Sequence, residues 1–511
     1  MSRPRLDERW AGASASLAGL LYAAAQPDRG VWPLAFVCLI PLLEALRGRS
    51  ALERFGVGWL AGTVAAVALV LVPTGTAVSR YFEIPHWQGY AAAFGLGQLF
   101  GALPFALFAV LAGDPGRQGP FERVGRTATA LVLSETVRSS FLTGLPWGLL
   151  AYALAPVPLL AQSAVLGGAA LVSALVAGAN AAFFSMLEQL RRPAAAGIAC
   201  AILALILVPA GRWLEAGPGL RRAGSAPPGG DVLRVTLVQG SLPEDWRRDA
   251  TRVDEALDRL VALSEGRDAH VVAWPESAFS APLPANFGLL RRGLASLEAP
   301  RPSFVLGAPR IGKGNPVRLH NSALVIDPEL EIRDHHDKTR LVPFTEYVPA
   351  PFRWLGVRGL SETAGDRVRA VDVAGHRLGV SICYELVFAS LSRDLVRDGA
   401  RLLLNLSNDE WFGTRRGMEQ HFAAAVFRAI ETDRPLLRST NTGITAGIDR
   451  LGRVVARLPE GVPAALSLDV RPRATRTPFV RLGNWVPWAS ALLLGALLAR
   501  SRLRQGRSGQ T

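Results

Sequence analysis

The sequence predicts a helical membrane domain joined to an α/β domain, with the α/β part set between two membrane spans. Three observations predict it. Half of the 511 residues are hydrophobic and only 19% are charged, and long apolar runs crowd the first part of the chain. From Leu233 to about Val470, short apolar strands alternate with helical stretches, the pattern of an α/β domain. A last apolar run, Trp485–Ala499, then precedes a tail rich in arginine.

Residues 1–212 divide into seven apolar runs: Trp10–Ala25, Val31–Leu46, Phe55–Val72, Tyr90–Leu111, Thr127–Leu142, Pro158–Leu187 and Ala194–Ala210. A helix needs roughly 17–25 apolar residues to cross a bilayer, so several of these lie near the lower limit. Six further runs follow the first, which therefore reads as an uncleaved span and not as a signal peptide. Arginine placement orients them. Arg3, Arg5 and Arg9 precede the first run; Arg47, Arg49 and Arg54 follow the second; Arg117, Arg123 and Arg126 follow the fourth; Arg191 and Arg192 follow the sixth. The alternate loops hold only Arg29 and Arg80. The positive-inside rule makes the first set cytoplasmic and brings the chain out on the far side after seven spans.

A Gly/Pro-rich linker, 213–231, leads into the α/β domain at 232–470. A second linker, 471–484, leads to the eighth span at 485–499 and a cytoplasmic tail at 500–511, whose Arg500, Arg502, Arg504 and Arg507 agree with that orientation. The expectation is about eight transmembrane helices, with both termini cytoplasmic and the α/β domain outside.

Composition excludes several classes. The net charge of +14 comes from arginines spread along the chain and flanking apolar runs, which suits an anionic bilayer and not a nucleic-acid surface. Three cysteines in 511 residues build neither a disulfide scaffold nor a CxxC zinc module. The seven histidines form no HExxH or paired metal spacing, and phosphate-binding glycine motifs are missing, so neither a metal nor a cofactor is expected.

Cys38 and Cys200 lie in apolar runs, where cysteine acts as a small hydrophobe. Cys383 ends the apolar strand LGVSIC and is followed by Tyr384 and Glu385, at the strand end where α/β folds place their sites. Glu276 follows another strand in VVAWPES. Lys338 stands in HHDKTRLVPFTEY, with Glu346 eight residues on. Only two of the 56 basic residues are lysine, Lys313 and Lys338, so a lysine in such a motif carries more information than usual. Each residue alone reads as a cap, a surface charge or a packed thiol. Together they make an activated nucleophile: a carboxylate takes the thiol proton, and an ammonium stabilises thiolate and oxyanion. The Tyr384 N–H is a second oxyanion donor.

WPES, DKTRLVPFTEY and ICYE, in this order, resemble the three signature segments of the nitrilase (carbon–nitrogen hydrolase) superfamily. The resemblance implies an αββα sandwich and a triad of Glu276 (general base), Lys338 and Cys383 (nucleophile). With its flanking spans the whole chain is similar to the bacterial apolipoprotein N-acyltransferase family. LVQGSLPEDW, NLSNDEWFG, RPLLRSTNTGITAGID and SETVRSSFLTGLPWGLLAYA match further segments of that family, with departures at Glu410, Thr345 and His336. The family implies an inner-membrane enzyme moving an acyl chain from a phospholipid, through a cysteine thioester, to the α-amine of a diacylglyceryl-cysteine on a lipoprotein. It also implies that Trp246, Glu346, Tyr384 and Glu385 support the site.

Trp354, in VPAPFRWLGVRGL, reads as part of an interfacial arm that gates an acyl groove, against the plainer reading of a packed loop. Glu135 and Arg138, at helical i, i+3 spacing in an apolar run, are expected to pair. A membrane-tethered amidase or hydrolase is the alternative function, with water resolving the thioester. The multi-span half favours the transferase, because a small soluble substrate needs no such platform. A transporter or scaffold with a decayed outer domain is a third class, and the intact Glu276, Lys338 and Cys383 speak against it.

Overall fold

A computed structural model describes residues 6–188, 220–222, 232–243, 252–312, 318–350 and 362–508. The chain divides into two compact units. One is Met1–Leu214 with Thr414–Ala423 and Leu482–Thr511, and the other is Glu215–Gly413 with Ala424–Arg481.

The first unit is helical: α1 (Glu8–Ala25), α2 (Ile40–Ala45), α3 (Ala51–Phe82), α4 (His86–Gly97), α5 (Leu103–Ala112), α6 (Pro120–Ser140) and α7 (Ala164–Glu188). Local chemistry sets their starts. Asp7 caps α1 by accepting from the Trp10 N–H at 2.9 Å. The Ser50–Ala51–Leu52–Glu53 segment closes a reciprocal capping box at the head of α3. Gly58 and Gly62, four apart on α3, let α5 approach so closely that a Cβ at either would meet backbone atoms of that helix or the residue before it.

Three stretches among the described residues are long and apolar enough to cross a membrane: Ala51–Phe82, His86–Arg117 and Ala164–Glu188. The Val31–Leu46 run is not one helix. It splits into a 3-10 turn, Trp32–Phe36, and α2, because Pro33 and Pro41 are each tolerated only in a first turn. The Tyr90–Leu111 run is α4 and α5 joined through a π-helical turn, Gln98–Ala102. The Pro158–Leu187 run opens with a 3-10 turn, and α7 breaks at Gly167 and Gly168, the latter at φ +71°. Ala194–Ala210 lies outside the described residues.

Glu135 and Arg138 do pair, at 3.7 Å, and both are buried. Glu135 accepts from the Leu150 N–H at 2.8 Å, while Arg138 and Tyr22 both donate to the Gly148 carbonyl. The two charges are used to hold the backbone of the loop after α6, whose amide and carbonyl would otherwise be costly to bury.

Among the described residues the second unit holds thirteen strands: β1 (Leu220–Arg222), β2 (Leu233–Gln239), β3 (Val271–Ala273), β4 (Ser303–Gly312), β5 (Arg318–Ile326), β6 (Ile332–Asp337), β7 (Val371–Val373), β8 (His376–Ile382), β9 (Leu402–Ser407), β10 (Leu436–Thr440), β11 (Ala446–Ile448), β12 (Val454–Arg457) and β13 (Ala464–Val470). They form two sheets, ordered β1-β13-β2-β3-β4-β5-β6 and β12-β11-β10-β9-β8-β7. β2, β3 and β4 run parallel at the heart of the first sheet, and β8, β9 and β10 at the heart of the second.

Alternation builds the layers. Leu233, Val235 and Leu237 face the second sheet and pack with Leu378, Val380, Ile382, Leu404 and Leu406. On the outer face of the first sheet, Val238, Val272 and Phe304 pack under α8 (Val253–Ser264) and α9 (Phe287–Ala295). α10 (Ala389–Arg397) lies against β8, and α11 (Arg415–Thr432) precedes β10. Within the stretch read as a linker, β1 pairs antiparallel with β13, Leu220 opposite Val470. An edge strand needs only backbone groups to pair, so it leaves little pattern in side chains. α12 (Pro478–Leu482) falls in the second linker, and α13 (Trp485–Ser508) contains the last apolar run.

Candidate active site

The chemistry-bearing residues follow the ends of strands in both sheets. Glu276 comes three residues after β3, Lys338 directly after β6, Cys383 directly after β8 and Asn408 directly after β9. Gly307 on β4 lies so close to the Pro275–Glu276 backbone that a Cβ there would meet the Glu276 Cα at 2.6 Å. Glu276 thus rests on the sheet surface.

Every oxygen of the Glu276 carboxylate is engaged. Oε1 accepts from Lys338 Nζ at 3.1 Å and from Asn321 Nδ2 at 2.9 Å; Oε2 accepts from the Asn408 N–H at 3.0 Å. Lys338 is about 1% exposed and also donates to Glu346 Oε1 at 2.5 Å. The other Glu346 oxygen accepts from the Val342 N–H at 2.7 Å, which closes the turn after Lys338 around its partner. Burial opposes a charge on Lys338, yet the Glu276 and Glu346 carboxylates outweigh it and hold the ammonium well above the usual lysine range.

Cys383 adopts φ +48° at the start of a short 3-10 turn, Cys383–Val387, and its side chain packs against the inter-sheet core. Its thiol is pushed up by burial first and then by Glu276; Lys338 pulls it back without overcoming them. The ammonium therefore does not leave a standing thiolate, contrary to a simple reading of Lys338 as an acidifying neighbour.

Glu385 links the lysine segment to the cysteine strand. Its Oε1 accepts from Thr339 N and Oγ1, both at 2.7 Å, and its Oε2 from Ile382 N at 2.8 Å, with His336 Nε2 2.9 Å away. Burial alone would raise this carboxyl; His336 and these donors outweigh it and hold it below the usual range. Tyr384 is buried and stands edge-on to Phe388, centroids 5.1 Å apart. Trp246 and Trp354 lie outside the described residues.

Five residues of the site were not singled out from the sequence: Asn321, Glu362, Asn408, Asp409 and Arg438. Two carried a signal, since an asparagine inside β5 and an arginine inside the apolar β10 both break a strand pattern. Glu362 carried none. Its N–H donates to the Glu346 carbonyl at 3.0 Å, and its Oε2 is buried without a hydrogen-bond partner among the described residues. Burial first, then Glu346, pushes its carboxyl up to about 8. A carboxyl raised in the folded state gives stability that is fully present below the unfolded pKa near 4.5 and is lost as pH rises through about 8. Glu362→Gln is therefore expected to leave the thermal midpoint unchanged at pH 5 and to raise it by about 2–4 °C at pH 9, read by differential scanning fluorimetry.

Among the described residues no group of three or more His, Cys, Asp or Glu side chains is placed to hold a metal ion. The arrangement is that of a thiol, a carboxylate and an ammonium at converging strand ends, which suits acyl transfer through a thioester.

The sequence comparisons show the family. A carbon-nitrogen hydrolase family model matches residues 234–476, and an apolipoprotein N-acyltransferase N-terminal domain model matches residues 18–182. The apolipoprotein N-acyltransferase of Geobacter metallireducens is 31% identical over 96% of this chain and 95% of its own. The chain belongs to the apolipoprotein N-acyltransferase family. Relatives of the same name from Ralstonia nicotianae, 31% identical over 97% of this chain and 94% of theirs, and Azotobacter vinelandii, 32% identical over 98% and 97%, agree. Membership joins the two units in one enzyme, the carbon-nitrogen hydrolase match falling on residues 234–476 and the N-terminal domain match on residues 18–182.

Proposed function

We propose that this chain transfers a fatty acyl group from a phospholipid to the N-terminal α-amine of a diacylglyceryl-cysteine lipoprotein, with Cys383 as nucleophile, Glu276 as general base and Lys338 as oxyanion stabiliser. The observation that carries the reading is the Lys338 ammonium held 3.1 Å from Glu276 in a fully buried position that acts electrostatically on Cys383.

Glu276 takes the Sγ proton as the sulfur attacks the donor ester carbonyl. Lys338 Nζ and the Tyr384 N–H receive the oxyanion. Collapse expels the lysophospholipid alkoxide, which leaves with the proton from Glu276. The lipoprotein amine then attacks the thioester, gives a proton to Glu276, and frees the Cys383 sulfur, which takes that proton back. A thiol protonated at rest avoids stray alkylation between turnovers.

Glu346 and Glu385 orient Lys338 in this reading, with Trp246 supporting the site and Trp354 belonging to an arm that gates the acyl groove. The substrate explains the membrane half. Lifting an acyl chain into water costs on the order of 0.8 kcal/mol per CH₂, so the nucleophile must work at the bilayer. We take the chain to cross the inner membrane eight times, with both termini cytoplasmic and the catalytic half outside.

The test is incubation of the purified protein with phospholipid carrying a labelled acyl chain. A Cys383 thioester should accumulate and clear only when a diacylglyceryl-lipopeptide amine is added. Rapid spontaneous hydrolysis of the label would replace this reading with an amidase or hydrolase.

A further inference from the structure

Behind the site lies a charged pair that the reaction does not use. Arg438, on β10, is fully buried, and so is Asp409, two residues past the end of β9. The guanidinium grips the carboxylate with both ends, Nη1 to Oδ2 at 2.9 Å and Nη2 to Oδ1 at 2.8 Å. Its Nε donates to Asn405 Oδ1 at 3.0 Å, and Nη1 also reaches the Ile444 carbonyl at 3.2 Å. Ser407 Oγ completes the Asp409 carboxylate at 3.0 Å.

A buried ion pair is weak evidence of stabilisation, since apolar residues of similar volume often serve as well or better. What this pair does is geometric. Asn405 passes the constraint to β8, its Nδ2 donating to the carbonyl and hydroxyl of Ser381 at 3.2 Å, two residues before Cys383. Asp409 passes it to its neighbour Asn408, whose N–H holds Glu276 Oε2 at 3.0 Å. One guanidinium therefore braces both the strand that presents the sulfur and the backbone donor that fixes the carboxylate. Gly443 shows how tightly this brace is packed: a Cβ there would come within 2.3 Å of Asp409 Oδ2.

We propose that Arg438 and Asp409 are positioning residues for acyl transfer, locking the Asn405–Asp409 strand end so that Glu276 and Cys383 are held in reacting geometry. The inference rests on the assignment of Glu276 and Cys383 above. It requires that the pair act on rate and not on lipid binding, because neither residue needs to touch the acyl chain.

The test uses the full-length protein in detergent and compares Arg438→Met/Asp409→Leu, which replaces the pair by apolar volume, with Gly443→Ala, which keeps both charges and displaces Asp409. Single-turnover acylation of Cys383 is followed with a phosphatidylethanolamine–phosphatidylglycerol mixture carrying labelled acyl chains, beside thermal midpoint. The expected result for the apolar double variant is a parent-like midpoint with acylation slowed about 100-fold, at an unchanged half-saturating lipid concentration. A folded double variant acylating within about threefold of the parent would overturn the proposal. If that variant does not fold, Gly443→Ala decides: slowed acylation at unchanged half-saturation supports the brace, and a parent rate overturns it.

A second measurement separates this proposal from the functional reading beneath it. The rate of Cys383 alkylation by iodoacetamide is measured by peptide mass spectrometry, with Glu276→Gln as the control that reports loss of the base. If the parent forms no thioester from phospholipid, the functional reading fails. The alkylation rate still tests the brace, which demands a fall of about tenfold or more in Gly443→Ala.

Discussion

Lys338→Met is expected to abolish acylation of Cys383 and to weaken the catalytic half at once. Its ammonium lies between Glu276 at 3.1 Å and Glu346 at 2.5 Å, in a position closed to solvent. Removing it leaves the buried Glu276 and the half-buried Glu346 carboxylates facing each other without a cation. Breaking a buried pair from one side typically costs about 3–5 kcal/mol. The rate should fall further than stability explains, because the proposed oxyanion donor is lost; removing one such donor costs about 10²–10³ in rate. The double variant Lys338→Met/Glu346→Gln separates the two effects. It should regain much of the lost thermal midpoint and none of the acylation, measured as labelled thioester in single turnover. Recovery of acylation with the midpoint would show that Lys338 only neutralises charge.

Glu276→Gln is the second large effect. Both carboxylate oxygens accept hydrogen bonds, Oε1 from Lys338 and Asn321 and Oε2 from the Asn408 N–H. A glutamine has one acceptor oxygen and one amide donor, so in either orientation it turns a donor toward a donor. More decisively, it cannot take the thiol proton. Cys383 is pushed up first by burial, which remains when the Glu276 charge is gone, so the thiol still needs a base to react. Loss of general-base assistance costs about 10²–10⁴ in rate. Iodoacetamide alkylation of Cys383 should slow as well, and the deficit should shrink as pH is raised and hydroxide replaces the missing base. A variant alkylated as fast as the parent at neutral pH would remove Glu276 from this role.

Much of this was legible along the chain. The strands of the α/β half follow a two-residue alternation, and Leu233, Val235 and Leu237 do line the space between the sheets. Glu276 and Lys338 each follow a strand of the first sheet and Cys383 a strand of the second, and such strand ends meet in space without any pairing written between them. The scarcity of lysine pointed to Lys338. The membrane half was less legible, because an apolar run records composition and not helix continuity. Pro33, Pro41 and Gly168 break or restart helices inside runs that hydropathy joins.

The sign of the electrostatic balance at the thiol was also out of reach. A lysine nearby suggests an acidified cysteine, and only the depth of burial shows that desolvation and a neighbouring carboxylate win. Arg438 and Asp409 stand twenty-nine positions apart, so their bidentate pairing depends on how β9 and β10 register, Arg438 beside Asn405. Glu362 reads as an ordinary surface acid until its N–H bond to the Glu346 carbonyl is known.

The amino-acid order alone pointed to a carboxylate, a lysine and a cysteine and to the kind of element that carries each, because hydrophobic period and residue chemistry are local properties. Distances, burial and the choice of partner for each charge were decided only by the packed sheets. Those quantities depend on contacts between segments that are remote in sequence, and on a dielectric that exists only once the core has closed around them.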